Sequence, residues 1–286
     1  MKQFSAMKQT TVALLMMMGS WMTTTAQDIA VSQEEMVVEY YAVPSPEEIL
    51  SYIHNNEITY TPKLMNSPAN SDKYQTSKER LVAFGMYLAD MAYAGSFEQS
   101  GTALRYFEVT ERSGKSMNLF PAEIEGLVER MLNNMNRIDS INNIYDELYL
   151  MVIANLHDTD RFGEYALISA GGFIEALYLA LNSSDSRLKE DGFRMRVWDQ
   201  KMILDQLKSM FNKYLNETQK TQVMKDFEGV FTAFEEFANS PQATTSNKRD
   251  DGAMVLGAAP AKEKAVNPIE NIHQEINLLR AKWVRE

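Results

Sequence analysis

Cysteine is absent from the 286 residues of the sequence, and histidine occurs only three times. Without cysteine the chain has no disulfide, no thiolate nucleophile and no thiolate ligand for a metal. A di-iron helical bundle needs two Glu-x-x-His pairs, whereas only Glu270 and His273 have that spacing here. The glycine loop that binds phosphates and the Gly-x-Ser-x-Gly motif are also missing. We therefore predict neither a metal site nor a cofactor.

Basic residues are outnumbered by acidic ones, 28 against 39, and the formal net charge is −11. A surface this acidic repels the phosphates of nucleic acids and of anionic lipids, so we expect no nucleic-acid partner. Because disulfides are excluded, stability must come from packing. A chain of this length can bury a single large core without such crosslinks.

The first 26 residues have the order of a secretory signal peptide. Lys2 and Lys8 precede an apolar run from Thr11 to Met22, and small residues follow up to Ala26. This order predicts export with cleavage after residue 26. The run is too short to span a bilayer, so we expect no transmembrane anchor after cleavage. No cysteine follows it, and we predict a periplasmic or extracellular protein that is not a lipoprotein.

The most apolar stretch of the remaining chain is residues 162–182. Between residues 166 and 181 it carries a single charge, Glu175, and a helix that is apolar on nearly every face has to be surrounded by other elements. A lipid span needs about 20 apolar residues, so a central helix of a soluble core is the better interpretation. Gly171 and Gly172 inside this helix predict that another helix crosses it closely.

Helical periodicity dominates residues 44–239, and strand signals are absent. Residues 27–43 are expected to form a flexible lead-in, and the prolines and glutamates of 44–48 predict the start of a short first helix. A missing step in the apolar pattern near Asp139 and Ser140 predicts a kink or break. The fold class predicted from these patterns is an all-α bundle of about seven helices.

Residues 240–266 are rich in small, polar and charged residues without any period, which predicts a disordered linker. An amphipathic helix tethered by this linker is predicted at 267–286. Its narrow apolar seam resembles a coiled-coil face. We predict an interaction element outside the main core that binds a partner or self-associates; docking into a groove of the same bundle is the alternative. The seam consists of Ile269, Ile272, Ile276, Leu279 and Trp283.

Two carboxylates are the candidate functional residues. Asp90 and Glu175 are each the lone charge of a long apolar helical segment, and a buried carboxylate must be paired, hydrogen-bonded, protonated or in contact with a cavity. We predict that both are buried in one polar network. That network either fixes the register of the helices or forms a ligand or catalytic site, and the structural role is favoured. Further candidates for the network are Tyr87, Arg137, Gln200 and Lys201.

Short motifs along the chain resemble a family of exported all-helical proteins from Bacteroidetes over about residues 44–237. The resemblance implies the fold class and an exported location. Because this family has no assigned activity, the resemblance implies no catalytic residues. Phe173 and Ala176 depart from the family pattern, which has Trp and Gly there. The motifs, in order, are Pro44-x-Pro46-x-Glu48, Tyr74-x-Thr76, Gly85-x-Tyr87-x-x-Asp90, Gly171 to Tyr178, and Gln200-Lys201.

Two function classes follow from the sequence. The favoured one is a non-enzymatic protein of the cell envelope that binds a partner protein or a ligand. The alternative is a hydrolase or lyase that uses Asp90 and Glu175 as paired acids. A cavity beside both carboxylates favours the enzyme, whereas a dry and fully packed pair favours the binding protein.

Overall fold

The computed structural model describes residues 59–121, 124–133, 138–183, 188–238, 246–248, 254–256 and 268–284. The predicted signal peptide, lead-in and first helix lie outside the described residues. The described residues all belong to one compact unit, Pro44–Glu286.

Eight α-helices account for most of the described residues, which confirms the all-α bundle. They are α1 (Ser77–Ser96), α2 (Ser100–Ser116), α3 (Ile124–Asn133), α4 (Ile138–Asp158), α5 (Phe162–Ser183), α6 (Asp191–Tyr214), α7 (Glu217–Ala238) and α8 (Pro268–Trp283). Two short 3-10 turns, Pro62–Leu64 and Pro68–Lys73, precede α1. The predicted kink near Asp139 and Ser140 falls in the first turn of α4, and residues 134–137 before it lie outside the described residues.

Helices α1 and α5 form the most extensive helix pair of the described bundle. A capping box starts α1, because the Thr76 hydroxyl accepts from the Glu79 amide and the Glu79 carboxylate accepts from the Thr76 amide. The two backbones then come into direct contact. A Cβ on Gly85 would lie 1.9 Å from the Ile168 carbonyl oxygen, and a Cβ on Gly171 would lie 2.0 Å from the Val82 carbonyl oxygen. The crossing predicted from the glycines of the central helix is therefore confirmed.

Helix α5 is long and apolar enough to cross a membrane, and it is the one helix among the described residues that meets this test. Of its most apolar window, 83% is buried inside the protein. It is packed by α1, α4, α6 and α8. This matches the prediction of a central core helix.

Helix α8 is packed into the bundle, and this corrects the prediction of an interaction element outside the main core. It lies against α7, α5 and α1. Ile269, Ile272 and Ile276 are completely buried, and Leu279 and Trp283 are at most 8% exposed. The apolar seam is narrow because α8 places one stripe in a groove, which is the intramolecular alternative left open by the sequence. Self-association through this helix stays a prediction.

A short antiparallel pair of strands lies within the predicted linker. Strand β1 (Ser246–Lys248) pairs with β2 (Met254–Leu256), with Asn247 opposite Val255. The sequence pattern predicts no strand in this segment. Periodicity could not show them, because three residues are too few to establish an alternating pattern. The other residues of 240–266 lie outside the described residues.

Candidate functional site

Asp90 lies in the middle of α1 and is completely buried. The backbone amide of Asn66 donates a hydrogen bond to its Oδ2 atom at 3.1 Å. Asn66 belongs to the segment between the two 3-10 turns, so the polar loop before α1 supplies a donor to a carboxyl inside the core. The same loop accepts a hydrogen bond in return, because the Tyr87 hydroxyl donates to the Ser67 carbonyl oxygen at 3.1 Å.

Glu175 lies on the central helix α5 and is also completely buried. Arg280 of α8 donates two parallel hydrogen bonds to its carboxylate, from Nε at 3.1 Å and from an Nη atom at 3.0 Å. A further bond runs from Arg280 to the Leu64 carbonyl oxygen at 2.8 Å, and the guanidinium lies 4.3 Å from the centre of the Tyr178 ring. Bidentate arginine–carboxylate pairs are the strongest class of charge-assisted hydrogen bond.

Asp90 and Glu175 lie close enough for each to shift the pKa of the other. The prediction that both carboxylates are buried is confirmed, and the loop of Leu64 and Asn66 bonds both to Asp90 and to the arginine that holds Glu175. Two carboxylates this close cannot both be ionised easily in a buried site. Asp90 Oδ1 is fully buried and has no hydrogen-bond partner among the described residues. A proton on Asp90 avoids a second buried negative charge and leaves Glu175 as the anion that pairs with Arg280.

The direction of the pKa shifts agrees with this assignment. Burial, followed by the charge of Glu175, holds the pKa of Asp90 well above its ordinary value, although Arg280 and the Asn66 amide oppose the shift. Burial also raises the pKa of Glu175, but there the direct contact with Arg280 is the first of several opposing effects. Burial and the neighbouring Tyr74, Asp90 and Glu175 raise the pKa of Tyr87, so Tyr87 remains a neutral donor.

The other candidates from the sequence do not belong to this network. Gln200 is buried on α6, and its side-chain amide donates to the Arg196 carbonyl oxygen at 3.4 Å. Lys201 forms a surface ion pair with Asp205 at 2.5 Å. Both lie on α6, whose apolar seam faces α5 and α7. Arg137 lies outside the described residues.

Arg280, the cation of the site, was missed by sequence reasoning. In the sequence it looks like an ordinary cation near the C-terminal end of a helix, where positive charge suits the helix dipole. The available signal was its position directly after Leu279, at the border of the apolar stripe. A buried carboxylate elsewhere required a cation, but sequence alone does not show which helix supplies it.

A second polar junction fixes the end of α8. Asp226 of α7 binds Lys78 at 2.5 Å, Lys282 at 2.6 Å and the Trp283 indole NH at 3.1 Å. Burial alone would raise the pKa of Asp226, but the hydrogen bonds from Lys282, Lys78 and Trp283 outweigh it and hold the pKa below its ordinary value. Helices α1, α7 and α8 are therefore joined through one ionised carboxylate.

Neither of two surface depressions found on the described residues includes Asp90 or Glu175. One is lined by residues 198–203, 205, 206 and 209 on α6, and the other by residues 98–102 and Arg105 at the start of α2. Within the described part of the chain, no group of three or more histidine, aspartate or glutamate side chains could hold a metal ion.

Comparisons with known proteins do not identify the chain. No protein-family model, curated protein or solved structure matches it. Its function must therefore be argued from the site itself.

Proposed function

We propose that this chain is an exported, non-enzymatic helical protein of the cell envelope that binds a partner. The observation that carries the proposal is the enclosure of Asp90 and Glu175. Both side chains are completely buried, and the ionised one is held by Arg280. A general acid or base must reach the proton of a substrate directly or through one water. The pair is enclosed by the described residues and lines neither surface depression, which is the arrangement that favours a binding protein over an enzyme.

The carboxylates have a structural task instead. Asp90 belongs to α1, Glu175 to α5 and Arg280 to α8, so one network joins three helices. Removing one member of such a network leaves an uncompensated buried charge, which typically costs 3–5 kcal/mol. The network thereby fixes how the last helix sits on the central pair.

The alternative of a hydrolase or lyase rests on one specific observation. Two neighbouring carboxyls, one with a strongly raised pKa, are the groups that acid–base enzymes use. This alternative requires a path for substrate to the pair. It predicts that the isosteric amide at position 90 abolishes function while leaving the fold intact.

The experiment separates these roles with a conservative substitution. Asp90→Asn keeps an acceptor for the Asn66 amide, but it cannot transfer a proton. In the native host, we expect the tagged wild type and Asp90→Asn to give the same crosslinked envelope partners. Asp199→Asn, an exposed carboxylate on α6, is the matched control. Loss of biological activity in Asp90→Asn alone, with unchanged helicity and a melting temperature no lower than that of the wild type, would support the enzyme.

Export is tested independently on the same material. The order of charge, apolar run and small residues predicts that the mature chain begins at Gln27. Mass spectrometry of the native protein should show this N-terminus in the envelope or the medium. A chain that retains residues 1–26 contradicts the exported location.

A further inference from the structure

Helices α7 and α8 run antiparallel, and far more chain connects them than this arrangement needs. Asn271 near the start of α8 bonds Glu236 near the end of α7, whereas Trp283 at the end of α8 packs on Phe227. Helix α8 therefore begins beside the end of α7. Antiparallel neighbours of this kind are usually joined by about 2–8 residues. Here residues 239–267 separate them, a length that reaches roughly 90–100 Å at full extension.

The groove under α8 is specific for this helix. Its acidic groups are Glu175 at its floor and Asp226 and Glu236 on α7, and Lys78 of α1 is a cation that shares Asp226. Helix α8 carries the complementary cations: Arg280 binds Glu175, and Lys282 binds Asp226.

A polar contact on α5 adds to this fit. Asn182 binds both Asn277 at 2.9 Å and His273 at 3.0 Å. The groove therefore selects an amphipathic helix with cations in its last turn. In a helix-in-groove interface of this kind, apolar anchors give affinity and the polar partners give register.

We propose that the groove formed by α1, α5 and α7 also accepts α8 from a second copy of the chain, so that the protein assembles by exchanging its last helix. This inference rests on the proposed binding role and names one partner for it. Each exchanged helix makes the contacts that it makes within its own chain. The long connection allows α8 to reach a neighbour, which a tight turn of a few residues would prevent.

The balance between the closed and the exchanged form depends on protein concentration. Within one chain, a linker of this length gives α8 an effective concentration in the millimolar range. The closed monomer is therefore the dominant form in dilute solution. Exchange is favoured when many chains fold together at high concentration, because α8 of one copy then competes with α8 of another for an empty groove.

The test uses two full-length chains that each carry one cysteine, since the native chain has none. Asn182→Cys places a thiol on α5 in the groove, and Asn277→Cys places one on the facing side of α8. The two variants are mixed in denaturant, refolded together at high concentration and oxidised mildly. A disulfide between the chains forms efficiently only when α8 of one occupies the groove of the other.

The matched control replaces Asn277→Cys by Leu278→Cys, whose parent side chain is 56% exposed on the outer side of α8. We expect covalent heterodimer from the 182–277 pair to exceed that from the 182–278 pair by about tenfold, because the first pair is held at close range. Wild type refolded under the same conditions should contain dimer by light scattering. Equal crosslinking of the two pairs, or wild type that is monomeric throughout, overturns the exchange. Neither result affects the test of the partner-binding role, because that test measures crosslinks to envelope proteins in the native host.

Discussion

Replacing Asp90 by Asn should change how stability depends on pH, and in a direction that only a buried, protonated carboxyl explains. In the wild type the pKa of Asp90 is raised above its ordinary value of 3.8. The folded state therefore binds a proton that the unfolded state loses. The stability contributed by this proton is fully present below the unfolded pKa, and it is lost as pH rises towards the folded pKa.

The size of the effect follows from proton linkage. A difference of one bound proton changes the free energy of unfolding by about 1.4 kcal/mol per pH unit. Asp90→Asn removes this dependence but keeps an acceptor for the Asn66 amide, a hydrogen bond worth about 0.5–1.5 kcal/mol. We expect the variant to lie within about 1 kcal/mol of the wild type near pH 4 and to become progressively more stable than the wild type as pH rises.

Urea unfolding at a series of pH values, followed by circular dichroism, measures this difference. Asp199→Asn is the control, because its carboxylate is exposed and only loosely paired with Arg196 at 3.9 Å. Its stability should follow the wild type across the series. If Asp90→Asn also ran parallel to the wild type at every pH, or were destabilised most at high pH, the assignment of a bound proton to Asp90 would be refuted.

Three further substitutions test how the helices are held together, each by chemical denaturation. Gly171→Val should prevent folding or lower the stability by several kcal/mol, because its Cβ would clash with the Val82 carbonyl oxygen. Its control, Gly101→Ala, has open space around the new Cβ and should raise the stability by up to about 1 kcal/mol. Arg280→Met should cost about 3–5 kcal/mol by leaving Glu175 buried without its cation, and Arg280→Lys should recover only part of this because it loses the bidentate geometry. Asp226→Asn should lower the free energy of unfolding at neutral pH. The difference from wild type should shrink as pH falls through the lowered pKa of Asp226. Trp283 fluorescence monitors the end of α8 in this experiment.

The helices were predictable where apolar residues recur over several turns. The central helix follows from its local apolar pattern and its close crossing from Gly171, and the structure has both. The burial of Asp90 and Glu175 also follows from local pattern, because a helix that is apolar on nearly every face is buried together with its single charged residue.

What the sequence could not provide is the pairing between distant elements. Arg280 lies 105 residues from Glu175, and a single sequence holds no signal that joins them. The position of α8 was misjudged for a similar reason. A narrow apolar stripe looks the same whether it fills a groove of its own chain or that of a partner, and the long connection before it favoured the wrong choice.

The placement of α8 inside the core is the central claim, and removing residues 240–286 tests it most directly. Helix α8 buries five large apolar side chains, each worth about 1.5–3 kcal/mol, so it contributes roughly 5–13 kcal/mol after allowance for the unfolded state. That is comparable with the whole stability of a typical domain. Thermal unfolding followed by circular dichroism should therefore show that the truncated chain has lost its cooperative transition or melts far below the full-length protein. An unchanged melting temperature would mean that α8 is not part of the core and that Arg280 does not stabilise the buried carboxylates.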